Sequence, residues 1–284
     1  MFHRSGNLER DSSSTVTVPG GAYMSVHVSK NTNTQGLCAA ESFVLAFGSG
    51  TDSSHILRLL LVELRTRGII QRTSAHRGKS QADSIDRWTV GPEVDSPIND
   101  TLAHLRDQFL NVHRHSIDGA VDLASFMEAI LGSGDSIIEK LILPALQKHH
   151  LYEYYTFRKF WLFGSHGWRL TTEGETQSFQ LQRLLMDGQR EFSFWSNHFP
   201  HRAVMFLNES GPAALTLTSL YPFMERFGTQ IHRDNLRPSN GLSGEKSLCF
   251  TTWAGLWRDD QAIFESLARA QHREVMPQTS PSII

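Results

Sequence analysis

Cysteine is almost absent: the 284-residue chain has two, Cys38 and Cys249, far apart and outside any CxxC or Cys/His spacing. That argues against a disulfide framework or a structural zinc site and suits reduced thiols in the cytoplasm. Long apolar runs are missing too. A membrane helix needs roughly 18 uninterrupted apolar residues, and the closest stretch, residues 203–224, is broken by Asn208, Glu209 and Pro212. The leading sequence MFHRSGNLERDSSSTVTVPGG lacks the apolar core of a signal peptide, so the expected location is cytoplasmic. No sign of charge dominates either. The formal net charge is −2, so no global field draws the chain to nucleic acid or anionic lipid, and any such binding must come from a local patch.

Catalytic motifs are equally scarce. HExxH, GxSxG and GxxxxGK[ST] do not occur. The stretch IHRDNLRPSNGL (231–242) resembles the catalytic loop of protein kinases, but Asp234 and Asn240 stand one position too far apart and no DFG follows. It reads as a surface turn. The histidine pairs His113/His115, His149/His150 and His198/His201 have no carboxylate or cysteine at metal-site spacing. No catalytic residue, metal ligand or cofactor is therefore assigned.

What is present is a twice-stated plan. After a Ser/Thr/Asn/Gly-rich stretch (1–36), read as a mobile arm with a short strand at 22–28, residues 39–47 make a helix ended by Gly48-Ser49-Gly50. Asp52 caps a second helix with Ile56, Leu60 and Leu64 on one face. Strands follow at 69–73 and 87–90, around the polar loop RGKSQAD at 77–83. Asn99 then caps a third helix carrying Leu102, Leu105, Phe109 and Val112. The second pass repeats this order. It has a helix at 122–131, Gly-Ser-Gly at 132–134, and an apolar helix that Pro144 should bend or shorten. A strand at 151–163, a turn at 164–167, a return strand at 168–171 and a helix at 176–186 complete it. A shift of 82 to 84 positions lays Leu60 and Leu64 on Ile142 and Leu146, and Ile69 on Leu151.

Helix, strand, turn, strand is the outline of a winged helix. The expected class is α+β, mainly helical, with tandem winged-helix-like units at 37–118 and 119–188, a C-terminal α/β extension at 189–273 and a frayed tail at 274–284. The richest surface is the second hairpin, YYTFRKFWLFGSHGWR (154–169). Its rings alternate with cations, and exposed aromatics beside cations suit a protein hot spot, a lipid interface or base stacking. Arg158, Lys159, Trp161, Phe163, Trp168 and Arg169 are the expected partner-binding residues.

The pattern ESFVLAFGSG, with Glu41, Leu45 and Gly48, resembles the E-x-x-x-L-x-x-G start of uncharacterised bacterial membrane proteins with duplicated winged-helix-like modules. The helix-strand order over about residues 38–190 also resembles bacterial relatives of Golgi phosphoprotein 3, a likeness that implies binding to phosphoinositide or membrane surfaces. The membrane spans of the first group and the acidic N-terminal helix of the second are absent. The leading expectation is a non-catalytic binding protein whose hairpin meets a protein partner or an anionic surface. One alternative is DNA binding through Arg58, Arg65 and Arg67. The other is an enzyme whose site gathers His198, His201, His232 and Asp234.

Overall fold

The computed structural model describes residues 36–73, 87–132, 136–159, 163–227 and 253–275, all in one contact unit. The expectations for the N-terminal arm, the strand at 22–28, the loop at 77–83, the kinase-like stretch and the tail beyond residue 275 lie outside them. The chain is mostly helical, with two small antiparallel sheets.

Helix α2 (Ser53–Thr66) is the hub. Its run of leucines buries Ile56, Leu57, Leu59, Leu60, Leu61, Val62 and Leu64, so it is covered on every side rather than along one stripe. Asp52 caps it, accepting from the Ser54 amide at 3.2 Å. Helix α1 (Ala39–Phe47) packs beside it and stops where Gly48 turns out of the helix at φ 92°. Strands β1 (Ile70–Arg72) and β2 (Arg87–Val90) pair antiparallel, Ile70 opposite Val90. A two-residue strand β3 (Val121–Asp122) joins β2 and buries Trp88 against Val121. Sequence periodicity has no handle on so short a strand. Helix α3 (Asp100–His115) is capped by Asn99 as expected, its side chain 3.0 Å from the Leu102 amide.

Helix α4 (Leu123–Leu131) starts at its Asp122 cap. Proline then leaves its mark. Residues Ile138–Ile142 form a π-helical turn, with the Leu143 amide bonded to the Ile138 carbonyl, before α5 (Leu143–Lys148) resumes with Pro144 in its first turn. The expected disturbance is thus a shift of hydrogen-bond register that places proline where a missing N–H costs little. His150 follows with φ 60°.

Strands β4 (Tyr152–Lys159) and β5 (Phe163–Leu170) form the second sheet, Tyr152 opposite Leu170 and Lys159 opposite Phe163. The connection runs through residues 160–162, not the expected 164–167. Glycines in that stretch read as turn signals, but Gly164 and Gly167 stand inside β5.

Helix α6 (Thr172–His198) is the longest, and it continues through Gly188, where a boundary was expected. Gly188 lies against the ring of Phe206 on α7 (Pro200–Ser210), so the glycine serves close helix approach rather than termination. Two 3₁₀ segments (Gly211–Thr216, Thr218–Leu220), α8 (221–227) and α9 (Leu256–Val275) follow. Among the described residues after Gly188 the regular structure is all helical, so the aromatic content there belongs to helices, not strands; Phe192, Phe206, Tyr221 and Phe227 are buried, whereas Phe194 and Phe199 are exposed.

The two expected units interlock. Helix α1 packs on α6 and on Gly211–Thr216, while α4 packs chiefly on α9. One hydrophobic cluster runs from Leu37 to Ala270.

Candidate functional site

The β4–β5 ribbon stands on the body by its base. Tyr152 is buried there, and Leu170 and Trp168 pack against the core. Moving outward, Tyr154 meets Trp168 edge-on at 5.1 Å and His166 at 6.1 Å. On the other face, Glu153 accepts from the Arg169 Nε at 2.7 Å, and the Arg169 guanidinium lies over the Tyr155 ring at 5.5 Å. That ring lies across Gly167, where an added Cβ would sit 3.1 Å from the Tyr155 hydroxyl. Glycine here lets an aromatic side chain cover the strand.

Tyr154 is 50% exposed and Tyr155 38%. The strands pack chiefly on each other, with α5 and α6 only at their base, and the C-terminal helices pack elsewhere, on α1, α2, α4 and α6. Of the six expected binding residues, Trp168 is half-buried as the anchor and Arg169 is exposed. Arg158, Lys159 and Phe163 lie in the paired strands, but their side chains, like the whole of Trp161, are outside the described residues.

The arginines of α2 belong to the fold. Arg58 grips Asp260 through two bonds of 2.8 and 2.5 Å, Arg65 holds Asp259 and the Ala254 carbonyl at 2.5 Å, and Arg67 bonds Glu63 at 2.6 Å. Arg58 and Arg65 clip α9 to α2 rather than facing a ligand. The His198 ring lies tilted against Phe194 at 4.7 Å and His201 lies edge-on to Phe199. His232 and Asp234 are outside the described residues, so the proposed gathering of the four has no geometry to describe.

A buried polar cluster at the start of α1 was not foreseen. Glu41 accepts from the Cys38 amide and the Asn99 side chain, both at 2.9 Å, and from the Thr101 hydroxyl. Glu63 accepts from the Ala39 amide at 2.6 Å and from Arg67. Burial raises both carboxyls above the ordinary range and pushes the Cys38 thiol well up, the opposite of what a reactive thiolate needs. These groups pin α1 to α2 and α3. The signal in the sequence was a lone Glu in an otherwise apolar helix. A cleft of about 320 Å³ between α2, α3, α4 and the π-helical turn is lined mainly by apolar groups such as Leu57, Leu105, Val112, Phe126 and Ile130. No group of three or more possible metal ligands occurs among the described residues.

Compared with protein-family models, with curated proteins and with solved structures, the chain matches none. The class is accordingly that of the fold: a mainly helical α+β protein, with no helix among the described residues long and apolar enough to cross a membrane.

Proposed function

We propose that the protein is a non-catalytic binding protein built from two winged-helix-like units, and that the second unit's wing, the β4–β5 ribbon, carries the binding surface. The observation behind this is the exposure of Tyr155 beside Arg169 on one face, and of Tyr154 on the other, of a ribbon whose strands pack chiefly on each other. Rigid aromatic rings flanked by a guanidinium are the side chains that dominate protein hot spots. By sequence, Arg158, Lys159, Trp161 and Phe163 belong to the same hairpin.

The duplication has support in matched backbone detail. Gly68 and His150, 82 positions apart, both take positive φ after an apolar helix. The amide of Ile69 bonds back to Leu64 at 2.9 Å, and that of Leu151 bonds back to Leu146 at 2.9 Å. Leu60, Leu64, Ile142 and Leu146 are all fully buried.

A Tyr154→Ala/Tyr155→Ala/Arg169→Ala chain with unchanged thermal unfolding is the test. Quantitative affinity capture with wild type and variant should show a protein partner depleted about tenfold or more, since each 1.4 kcal/mol is a decade. Captured sets that do not differ overturn the proposal. Flotation with anionic vesicles separates a membrane surface from a protein partner. Since Arg58, Arg65 and Arg67 are engaged within the fold, no observation favours the DNA-binding alternative.

A further inference from the structure

Helix α6 turns a stripe of its surface outward that nothing in the described chain covers. Phe179, Met186 and Phe194 are 67%, 68% and 51% exposed, more than a core-forming helix needs. They fall at helical spacing with Arg183 and Arg190, opposite the buried Leu181, Leu185, Gly188 and Phe192. Phe199, its ring tilted against Phe194 at 5.6 Å, continues the patch to the start of α7. Scattered exposed apolar residues need no explanation, but a contiguous stripe marks an interaction surface.

The order along the stripe is close to a palindrome. Phe179 stands seven residues before Met186 and Phe194 eight after it; Arg183 stands three before and Arg190 four after. A surface of that kind matches itself when a copy is laid antiparallel across a twofold axis. We propose that the α6 stripe is the interface of a homodimer, with Met186 at the axis and Phe179 of one chain against Phe194 of the other.

Charge agrees. The stripe and its flank hold two arginines and two carboxylates, and Arg190 already bonds Asp187 at 3.4 Å and Glu191 at 3.1 Å. Arg183 forms no ion pair among the described residues and would approach that acidic flank of the other copy. Two copies therefore bring no net charge together, whereas an anionic membrane would have to accept Asp187 and Glu191 along with the arginines. The stripe from Phe179 to Phe194 makes a contact line roughly 22 Å long, which places the interface at the small, weak end of the specific class. The dimer should therefore depend on concentration.

The inference is independent of the hairpin reading, because the tested residues lie outside the ribbon. Sedimentation of the full chain should give a dimer mass at high concentration. Met186→Glu should halve that mass without lowering thermal stability, while Ile117→Glu, at a fully exposed loop position, should leave it unchanged. Cysteine cross-linking in a Cys249→Ser background fixes the geometry. Met186→Cys should cross-link to itself, and Phe179→Cys should cross-link to a chain carrying Phe194→Cys but not to its own kind. A single-chain mass at the highest soluble concentration overturns the proposal, even if wild-type chain then binds vesicles through the stripe. So does a dimer that Met186→Glu leaves intact.

Discussion

His150, with an exposed, ordinary side chain, sits in the left-handed region just after α5, as Gly68 does just after α2. A non-glycine residue costs on the order of 1 kcal/mol there. His150→Gly should therefore raise the unfolding free energy by about 0.5–1 kcal/mol in urea titration, less the entropy glycine gains in the unfolded chain. A loss would mean that the imidazole has a role beyond capping. Glu41 and Glu63 make a second residue-scale statement. Burial disfavours their charged forms, so the folded chain holds their protons more tightly than the unfolded chain does. Their contribution to stability is greatest below the ordinary carboxylate range and falls as pH rises through the window up to their raised values. Glu41→Gln removes one titration. The variant should start less stable, because its amide N–H₂ meets donors, yet lose less stability than wild type across that window. Parallel pH profiles would show that Glu41 does not titrate there.

Among the elements, α9 is clipped to α2 by two ion pairs, Arg58–Asp260 and Arg65–Asp259. Asp260 is buried and Arg58 nearly so. Asp260→Ala strands a guanidinium and should cost about 3–5 kcal/mol, while Arg58→Met with Asp260→Leu should recover much of it. Chemical denaturation of the three chains checks both. How legible such features were varies with the range of the interaction that makes them. Helix starts at Asp52, Asn99 and Asp122 were readable because a cap is a local hydrogen bond to an amide two or three residues on. Pro144 was readable because its effect reaches back only one turn. Gly188 was misread because a neighbour absent from the local sequence, Phe206, gives it its purpose. Gly167 was misread for the same reason, its reason being the Tyr155 ring on the facing strand. The hairpin's composition pointed to a surface, and Tyr154, Tyr155 and Arg169 are exposed on it. Which ring anchors it, Trp168, depends on register and could not be read from composition.

For the molecule as a whole, the binding proposed for the ribbon should be separable from the stability of the body. Replacing residues 155–167 with a two-residue Asn-Gly turn keeps the Tyr154–Trp168 pair and should change stability by only roughly 1 kcal/mol while abolishing partner capture. A chain that no longer unfolds cooperatively would show instead that the ribbon holds the body together. The opposite holds for α9, which covers both α2 and α4. Its clip joins residues 202 positions apart, and that distance has a meaning in time. During synthesis α2 leaves the ribosome with its leucines made and their cover not yet translated. Until Asp259 and Asp260 emerge, the nascent chain carries an apolar helix that no earlier segment can fully enclose. Completion of the core therefore waits for the translation of α9, about 200 residues after α2, and the growing polypeptide should be a client for chaperones that hold exposed apolar helices.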